Sequence, residues 1–370
     1  MGAGGGEERG AKEPKPLLLF SIAYWVYVAL AVATLSASGK QPRLAPLLLA
    51  AAGWACLALG YLRGPRIPRV LYAASLSALA ISVLRTSALG VGAAVATTAL
   101  FIALRDRVDS WLRYSNPRSP KAYVPALAIG AALFLAGWAL CGLPLLDPSA
   151  RSGYVPRLFG SAALALTAAS ALSGRAWVAA ASATLGLLTG FRSYALLPVL
   201  AWASAQEDEK QVLSFLGVLA VGAVFLGALR GLEGTPDPLG ILHRVAFTYW
   251  VYEEISLASL PTGLYGGQLL LSLDPRRRVA SLFGRGTTRY TYFFMGQPVG
   301  DFGVFGLVEA LLLGFLFGSA GLGATGAMAL AFLTVSVETG VDSLLLGVLL
   351  ACSYASSVRA ESQEPEQKRD

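Results

Sequence analysis

Residues 17–36 have the sequence LLLFSIAYWVYVALAVATLS, twenty consecutive residues without a charged side chain. An α-helix rises roughly 1.5 Å per residue, so this stretch matches the roughly 30 Å hydrocarbon core of a bilayer. The stretch is longer than the apolar core of a signal peptide, and no small-residue cleavage site follows it. It therefore predicts an uncleaved first transmembrane helix.

The composition extends this prediction to the whole chain of 370 residues. Hydrophobic residues make up 55% of it and charged residues only 14%, and the mean hydropathy is +0.60. Ordinary soluble domains carry about 25% charged residues. The net charge of +7 comes from short basic clusters between apolar runs, which is typical of membrane loops and not of a nucleic-acid-binding surface. We expect an all-α, polytopic transmembrane helical bundle without a nucleic-acid partner.

Apolar runs bounded by charge, Pro or Gly predict about 12 spans. Several are shorter than the roughly 20 residues of a straight span, so they borrow flanking residues or lie inside the bundle. The runs are Leu17–Ser36, Leu44–Leu62, Val70–Leu84, Ser87–Leu104, Val124–Leu143, Val155–Leu172, Trp177–Gly190, Tyr194–Ala205, Val212–Leu229, Phe302–Leu322, Ala324–Val337 and Ser343–Ser356.

These runs divide the chain into five regions. They are a disordered cytoplasmic N-terminus (1–16), spans 1–9 (17–229), an extracytoplasmic lid or active-site loop (230–301), spans 10–12 (302–356) and a cytoplasmic tail (357–370) that is flexible from Glu361 onward. The basic loop from Arg105 to Lys121 carries most of the positive-inside bias. We therefore expect a multi-pass protein of the plasma membrane with both termini in the cytoplasm.

The segment Val178–Ser204 decides the span count. As one span it would place Arg192 in the middle of the bilayer, where a lone charge is costly. Gly190 is typical of a turn. We therefore predict two short spans that meet at residues 190–193, on which the sidedness of every later segment depends.

The long loop is the largest polar stretch and is rich in aromatic and small residues. Residues Ile241 to Leu257 predict an amphipathic interfacial helix, with Trp and Tyr side chains at headgroup depth. Such a loop is more typical of a lid over a lipid-linked substrate than of a solvent spacer.

Arginine suits a phosphate or pyrophosphate ligand, because its planar fork donates two parallel hydrogen bonds. Arg85, Arg192, Arg230 and Arg244 fall at the same predicted face. Arginines at span ends also snorkel to the interface, and for Arg85 and Arg230 that interpretation stays open. Arg192 lies between two short apolar runs, which favours a functional role.

Histidine can accept a proton at neutral pH, so the single histidine, His243, is a candidate base for a sugar hydroxyl. A histidine hydrogen-bonded at the headgroup boundary is the alternative. Glu253 and Glu254 are further candidate bases, and Glu309 and Glu338 lie in or near apolar runs where they could face a polar cavity. Neither a metal-ligand cluster nor a phosphate-binding loop is present in the sequence, so we expect no metal or cofactor.

Three stretches resemble the O-antigen polymerase and oligosaccharide repeat-unit polymerase family, especially its archaeal branch. They are Leu188–Ser193, His243-Arg244 and the stretch from Arg285 to Gly306, in the same order and spacing. The resemblance implies a metal-independent, inverting glycosyltransferase that joins oligosaccharides carried on polyprenyl pyrophosphate at the extracytoplasmic face.

The resemblance also implies site residues and partners. Arg192 and Arg244 match the arginines expected to hold the pyrophosphate, with the base sought at His243 and then Glu253. Thr288 and Asp301 would shape the pocket, although helix capping is the simpler role for Asp301. Membrane lipid, a chain-length regulator and a flippase are candidate partners. Further expected contacts to pyrophosphate or glycan are Arg85, Arg289 and Tyr290.

Three other functions stay open. A ligase-type transferase would use the same chemistry on a lipid or protein acceptor. A polyprenyl-phosphate-sugar transferase would need carboxylates in its first outer loop, which Ala37–Arg43 lacks. A flippase or transporter would need charges along a central cavity, but the predicted spans two to six contain almost no ionisable residue.

Overall fold

A computed structural model describes residues 15–63, 68–84, 88–114, 118–145, 156–206, 213–221, 240–272, 274–285 and 288–367. In these ranges the chain is helical and contains no β-strand. A 3₁₀ turn, Gly303–Phe305, joins the twelfth and thirteenth helices. The helices are α1 (Lys15–Ala37), α2 (Leu44–Arg63), α3 (Arg69–Leu84), α4 (Ala88–Tyr114), α5 (Pro120–Cys141), α6 (Pro156–Ser173), α7 (Ala176–Leu188), α8 (Arg192–Ser204), α9 (213–221), α10 (Gly240–Ser259), α11 (Pro275–Leu282), α12 (Gly296–Phe302), α13 (Gly306–Ser319), α14 (Gly323–Thr339) and α15 (Ser343–Gln367).

Several of these helices are apolar enough for a multi-pass membrane protein. Within the described ranges, five segments have the length and hydropathy to cross a bilayer, and four shorter apolar helices accompany them. The expected count of about 12 spans is therefore not confirmed. The five segments are Lys15–Ala37, Leu44–Arg63, Pro120–Cys141, Gly296–Ser319 and Ser343–Glu361.

Helix α5 has one face suited to lipid and another suited to helix packing. Gly130 and Gly137 let α6 approach closely, since a Cβ there would lie 2.7 Å from the Leu166 side chain and 2.9 Å from the Phe159 ring. An apolar face this exposed would be a liability in water, whereas lipid solvates it. The exposed large side chains, 47–69% accessible, are Val124, Ile129, Leu135, Trp138 and Leu140.

Glycines also bring α2 and α13 together. A Cβ at Gly60 would lie 2.2 Å from the carbonyl oxygen of Leu311, and one at Gly314 would lie 2.1 Å from that of Leu57. Small residues of this kind allow backbones to approach within a membrane, where packing replaces the hydrophobic effect as the driving force.

The predicted break between two short helices at residues 190–193 is confirmed. Helix α7 ends at Leu188, Gly190 adopts φ +69°, and α8 begins at Arg192. The two helices pack against each other. A left-handed backbone angle is cheap for glycine, which explains why the chain turns at this residue.

The bounds of both terminal regions need correction. Residues 1–14 lie outside the described residues, but Lys15 and Pro16 belong to α1 and not to a disordered segment. The predicted flexible tail is helical as far as Gln367. Val358 is fully buried there, and Arg359 Nε donates to the carbonyl oxygen of Leu112 at 3.2 Å.

The helix predicted over Ile241–Leu257 is present as α10, but two of its tyrosines are buried inside the protein. Tyr249 and Tyr252 are fully buried, and the Tyr252 hydroxyl donates to the carbonyl oxygen of Pro46 at 2.7 Å. Their rings pack on Phe293 with centroid distances of 5.5 and 5.2 Å. Helix α10 is therefore packed against α1 and the start of α2.

Aromatic packing also fixes the segment before α12. Phe293 and Phe294 meet Tyr24 of α1 with centroid distances of 5.0 and 6.1 Å, and Phe294 meets Phe20 at 5.8 Å. The Tyr24 hydroxyl donates to the carbonyl oxygen of Ala50 in α2 at 2.8 Å. This core holds residues 291–295 between α1, α10 and the end of α14.

A candidate active site between helices 1, 10, 14 and 15

Helix α10 presents Arg244 to the last turn of α14. Arg244 Nε donates to Glu338 Oε1, and the carboxylate raises the pKa of the guanidinium, which therefore stays charged. Thr248 lies one turn further along the same face, and its hydroxyl is 3.0 Å from that of Thr291. The buried hydroxyl of Tyr27 lies beside Thr248 and within electrostatic range of Glu338 and Arg244. We call these five residues the Arg244 cluster.

A second group of charges surrounds the start of α15, and we call it the Arg276 cluster. Arg276 Nη2 lies 4.0 Å from Asp342 Oδ2, and Arg289 Nε donates to Asp274 Oδ2 at 2.8 Å. Tyr194 of α8 lies within electrostatic range of Arg276, Arg289 and Asp342. These five residues come from four segments that are distant in the sequence.

The turn after α14 joins the two clusters. Glu338 and Asp342 lie on either side of Gly340, so their Cα atoms are at most about 14 Å apart. Gly340 adopts φ +80°, and a Cβ there would lie 2.1 Å from the ring of Tyr292. Tyr292 is fully buried and donates to the carbonyl oxygen of Val341 at 3.4 Å. The turn is thus packed directly on the segment that carries Thr291.

The break between α7 and α8 places Arg192 in the region of the Arg276 cluster. It is the first residue of α8, two residues before Tyr194, and its N-cap residue Phe191 makes no side-chain cap. The positive end of the helix dipole therefore adds to the basic charge of the Arg276 cluster. The break at Gly190 thus brings Arg192 to the same end of the bundle as Arg289, which the sequence also indicated, and Arg276, which it did not.

A different polar group lies at the other end of α15. Tyr354 donates to Asp109 Oδ1 at 2.6 Å, and Arg69 Nη1 lies 3.2 Å from Asp109 Oδ2 and also pairs with Glu361. From Asp342 the helix rises about 18 Å to Tyr354 and about 28 Å to Glu361, against a bilayer core of roughly 30 Å. The two sets of charges therefore lie toward opposite ends of α15.

The comparison with protein families decides the class. The family model described as "Putative O-antigen polymerase" matches residues 26–350, which include every residue of both clusters. The chain belongs to the O-antigen polymerase family. No curated protein and no solved structure matches it.

The two candidate bases of this O-antigen polymerase family member lie far apart on α10. His243 is exposed beside Arg244, whereas Glu253 is 3% exposed and follows ten residues later, about 15 Å along the axis. The carboxylate of Glu253 accepts the Arg43 backbone N–H at 3.0 Å. Burial raises its pKa, and the hydrogen bond and charge of Arg43 oppose that shift. One acceptor hydroxyl cannot reach both residues.

Thr288 and Tyr290 lie in the non-helical segment just before Thr291. The Thr288 hydroxyl donates to the carbonyl oxygen of Arg285 at 2.9 Å, and Tyr290 N–H donates to that of Arg276 at 3.1 Å. The Tyr290 ring packs edge-on against Phe247 with a centroid distance of 5.2 Å. The bonds described for Thr288 and the Tyr290 backbone thus order this segment beside the Arg276 cluster.

Asp301 is an internal anchor and does not cap its own helix, because it lies inside α12. Its Oδ1 accepts the Leu269 backbone N–H at 2.9 Å, and its Oδ2 accepts that of Leu270 at 2.9 Å. Gln297 Nε2 bridges Asp301 Oδ2 and Glu309 Oε2 at 3.0 Å each. The residue thereby ties the 263–272 loop to the end of α12.

Arg85 and Arg230 lie outside the described residues, so the structure gives no position for either. Tyr27, Arg276 and Asp342 were not predicted from the sequence. Asp342 carried a usable signal, since an Asp shortly after a Gly and before an apolar run is typical of an N-cap. Its Oδ1 accepts the Leu345 N–H at 3.0 Å. Among the described residues, no group of three or more His, Cys, Asp or Glu is placed to hold a metal ion.

Proposed function

We propose that this protein is an integral-membrane glycosyltransferase that polymerises oligosaccharide repeat units carried on polyprenyl pyrophosphate. The observation that carries this proposal is the gathering of Arg276 and Arg289 with the N-terminus of α8, which begins at Arg192, in a member of the O-antigen polymerase family. A pyrophosphate bears several negative charges, and guanidinium forks are its natural protein ligands.

The ion pairs of the Arg276 cluster suit a leaving-group site. Arg289 is oriented by Asp274, and Arg276 by Asp342, whose backbone position is fixed as the N-cap of α15. Guanidiniums that are held in place before reaction stabilise charge on a departing pyrophosphate without a reorganisation cost. In this proposal Arg192, Arg276 and Arg289 bind the pyrophosphate.

We further propose that the site end is extracytoplasmic and that both termini are cytoplasmic. Arg69 and Arg359 belong to the group of contacts at the other end of α15, where the positive-inside rule favours the cytoplasm. Arg43 pairs with Glu254 at 3.1 Å on the site end, so the loop between α1 and α2 shares that side with α10. Under this topology α1, α2 and α15 each cross the membrane once.

The experiment is chain extension in vesicles given outward-facing polyprenyl pyrophosphate-linked oligosaccharide. We expect wild-type protein to produce longer lipid-linked glycans and Arg192→Ala to lose them, with partial activity in Arg192→Lys. Arg107→Ala is the matched control, because Arg107 is exposed two residues from Asp109 at the opposite end of the bundle. It should extend chains normally.

Three outcomes would contradict the proposal. Normal extension by Arg192→Ala would remove that residue from the site. Transfer by the wild-type protein to a lipid or protein acceptor without repeat-unit polymers would favour a ligase, and movement of intact lipid-linked glycan across the membrane would favour a flippase.

A further inference from the structure

We propose that Glu338 is the catalytic base of this transferase and that Arg244 is the residue that positions it. This inference rests on the proposed function and changes the role expected for two residues. His243 and Glu253 were the candidate bases, and Arg244 was a candidate pyrophosphate ligand.

The other described carboxylates near the site are already engaged. Asp342 caps α15 and pairs with Arg276, and Asp274 holds Arg289. Glu253 is buried against the Arg43 backbone, and Asp301 is 1% exposed and receives two backbone N–H groups. Glu253 and Asp301 are too buried to meet a substrate hydroxyl, and Asp274 and Asp342 hold the arginines that the proposed function assigns to the departing pyrophosphate.

Glu338 is about as accessible as the acids that hold those arginines, but it pairs with Arg244 and not with an arginine of the Arg276 cluster. Its side chain is 35% exposed, against 32% for Asp274 and 28% for Asp342. Its described bond uses Oε1, which accepts from Arg244 Nε, and a carboxylate has a second oxygen with its own acceptor capacity. The buried hydroxyl of Tyr27 lies within electrostatic range of this pair.

Stereochemistry separates the two clusters by role. In an inverting displacement the acceptor oxygen attacks the face of the sugar opposite to the leaving group, and the two carboxyls of inverting glycosidases are roughly 6.5–9.5 Å apart for this reason. Arg244 contacts Glu338 directly, so it belongs to the acceptor side. The Arg276 cluster lies across the Gly340 turn, within the limit of about 14 Å between the Cα atoms of Glu338 and Asp342.

The proposed step is a single inverting displacement. The acceptor hydroxyl forms a bond to the anomeric carbon of the donor glycan, and its proton passes to the Glu338 carboxylate. The bond between that carbon and the pyrophosphate oxygen breaks, and the electron pair leaves with polyprenyl pyrophosphate. Arg192, Arg276 and Arg289 stabilise the charge that develops there.

The test compares Glu338→Gln with a matched control, Glu361→Gln. Glu361 is also an accessible carboxylate, with a 49% exposed side chain, and it also pairs with an arginine, Arg69, but at the opposite end of the bundle. We expect Glu338→Gln to lower kcat by about 10²–10⁴-fold, the usual contribution of a general base. KM for the donor and binding of polyprenyl pyrophosphate should change less than about threefold, and Glu361→Gln should be close to wild type in all three.

Chemical rescue separates a base from a structural residue. Glu338→Ala should regain chain extension when formate is added, because a small carboxylate can occupy the vacated position, and Glu361→Ala should not respond. Arg244→Ala should reduce kcat more than it weakens pyrophosphate binding, with partial recovery in Arg244→Lys.

Each remaining outcome overturns the inference. Glu338→Gln with near-normal kcat excludes Glu338 as the base. Weakened pyrophosphate binding in both Glu338→Gln and Arg244→Ala would instead place Arg244 on the leaving group. Absence of rescue in a folded Glu338→Ala that still binds pyrophosphate would assign Glu338 a purely structural role. If wild-type protein extends no chains, the proposed function fails, independently of these variants.

Discussion

Replacing Asp301 by Asn should break its hydrogen bond from the Leu269 backbone N–H and keep its other bonds. An asparagine oxygen can take the place of Oδ2 and keep the bonds from Leu270 and Gln297. Its amino group then faces the Leu269 N–H, which had donated to Oδ1 at 2.9 Å. A buried donor left without an acceptor costs about 1–3 kcal/mol, so we expect local stability to fall by that amount.

Hydrogen exchange of the two leucine amides measures this directly. A loss of about 1–3 kcal/mol corresponds to exchange roughly 5–150 times faster at Leu269, with a smaller change at Leu270. Asp301→Ala removes both acceptors and should release both amides. Asp274→Asn, which disrupts an ion pair between partly exposed side chains, should leave both unchanged. Equal protection of Leu269 in Asp301→Asn and wild type would refute the anchoring role.

The other two predictions concern packing and charge. Gly314→Ala should lower the stability of the bundle by about 1–3 kcal/mol, because its Cβ would lie 2.1 Å from the Leu57 carbonyl oxygen. Thermal unfolding in detergent measures this, and Gly92→Ala, with open space around it, is the control that should not change. Equal melting of both variants would contradict close helix packing. Glu253→Gln should stabilise the protein at neutral pH, because burial raises the pKa of this carboxyl and the ionised form is disfavoured in the folded state. The gain in stability should shrink as the pH falls and the wild-type carboxyl becomes neutral. Destabilisation at neutral pH would show that attraction to Arg43 outweighs burial.

Local signals predicted the helix break well. Gly190 and Arg192 stand next to each other in the sequence, and both the left-handed angle of a glycine turn and the cost of a charge in lipid depend on that short stretch alone. The membrane class followed from long apolar runs, whose length relates directly to bilayer thickness.

Local signals failed for the environment of α10. Aromatic residues suit both a membrane interface and a packed core, so the composition of Ile241–Leu257 could not decide between them. Tyr252 is buried because the Pro46 carbonyl oxygen and the Phe293 ring reach it from distant parts of the chain. The sequence pattern contained no information about those partners.

The run LLLFSIAYWVYVALAVATLS determined by itself that this chain enters a membrane, because desolvation of twenty uncharged residues depends on their identity and not on their neighbours. Only the tertiary structure decided that Tyr27 within that run lies within electrostatic range of Arg244 and Glu338. Arg244 and Glu338 are 94 residues apart, and an ion pair over such a separation depends on where α1, α10 and α14 pack in space. Entry into a membrane can be inferred from residue type, whereas the relative positions of charged groups require the fold.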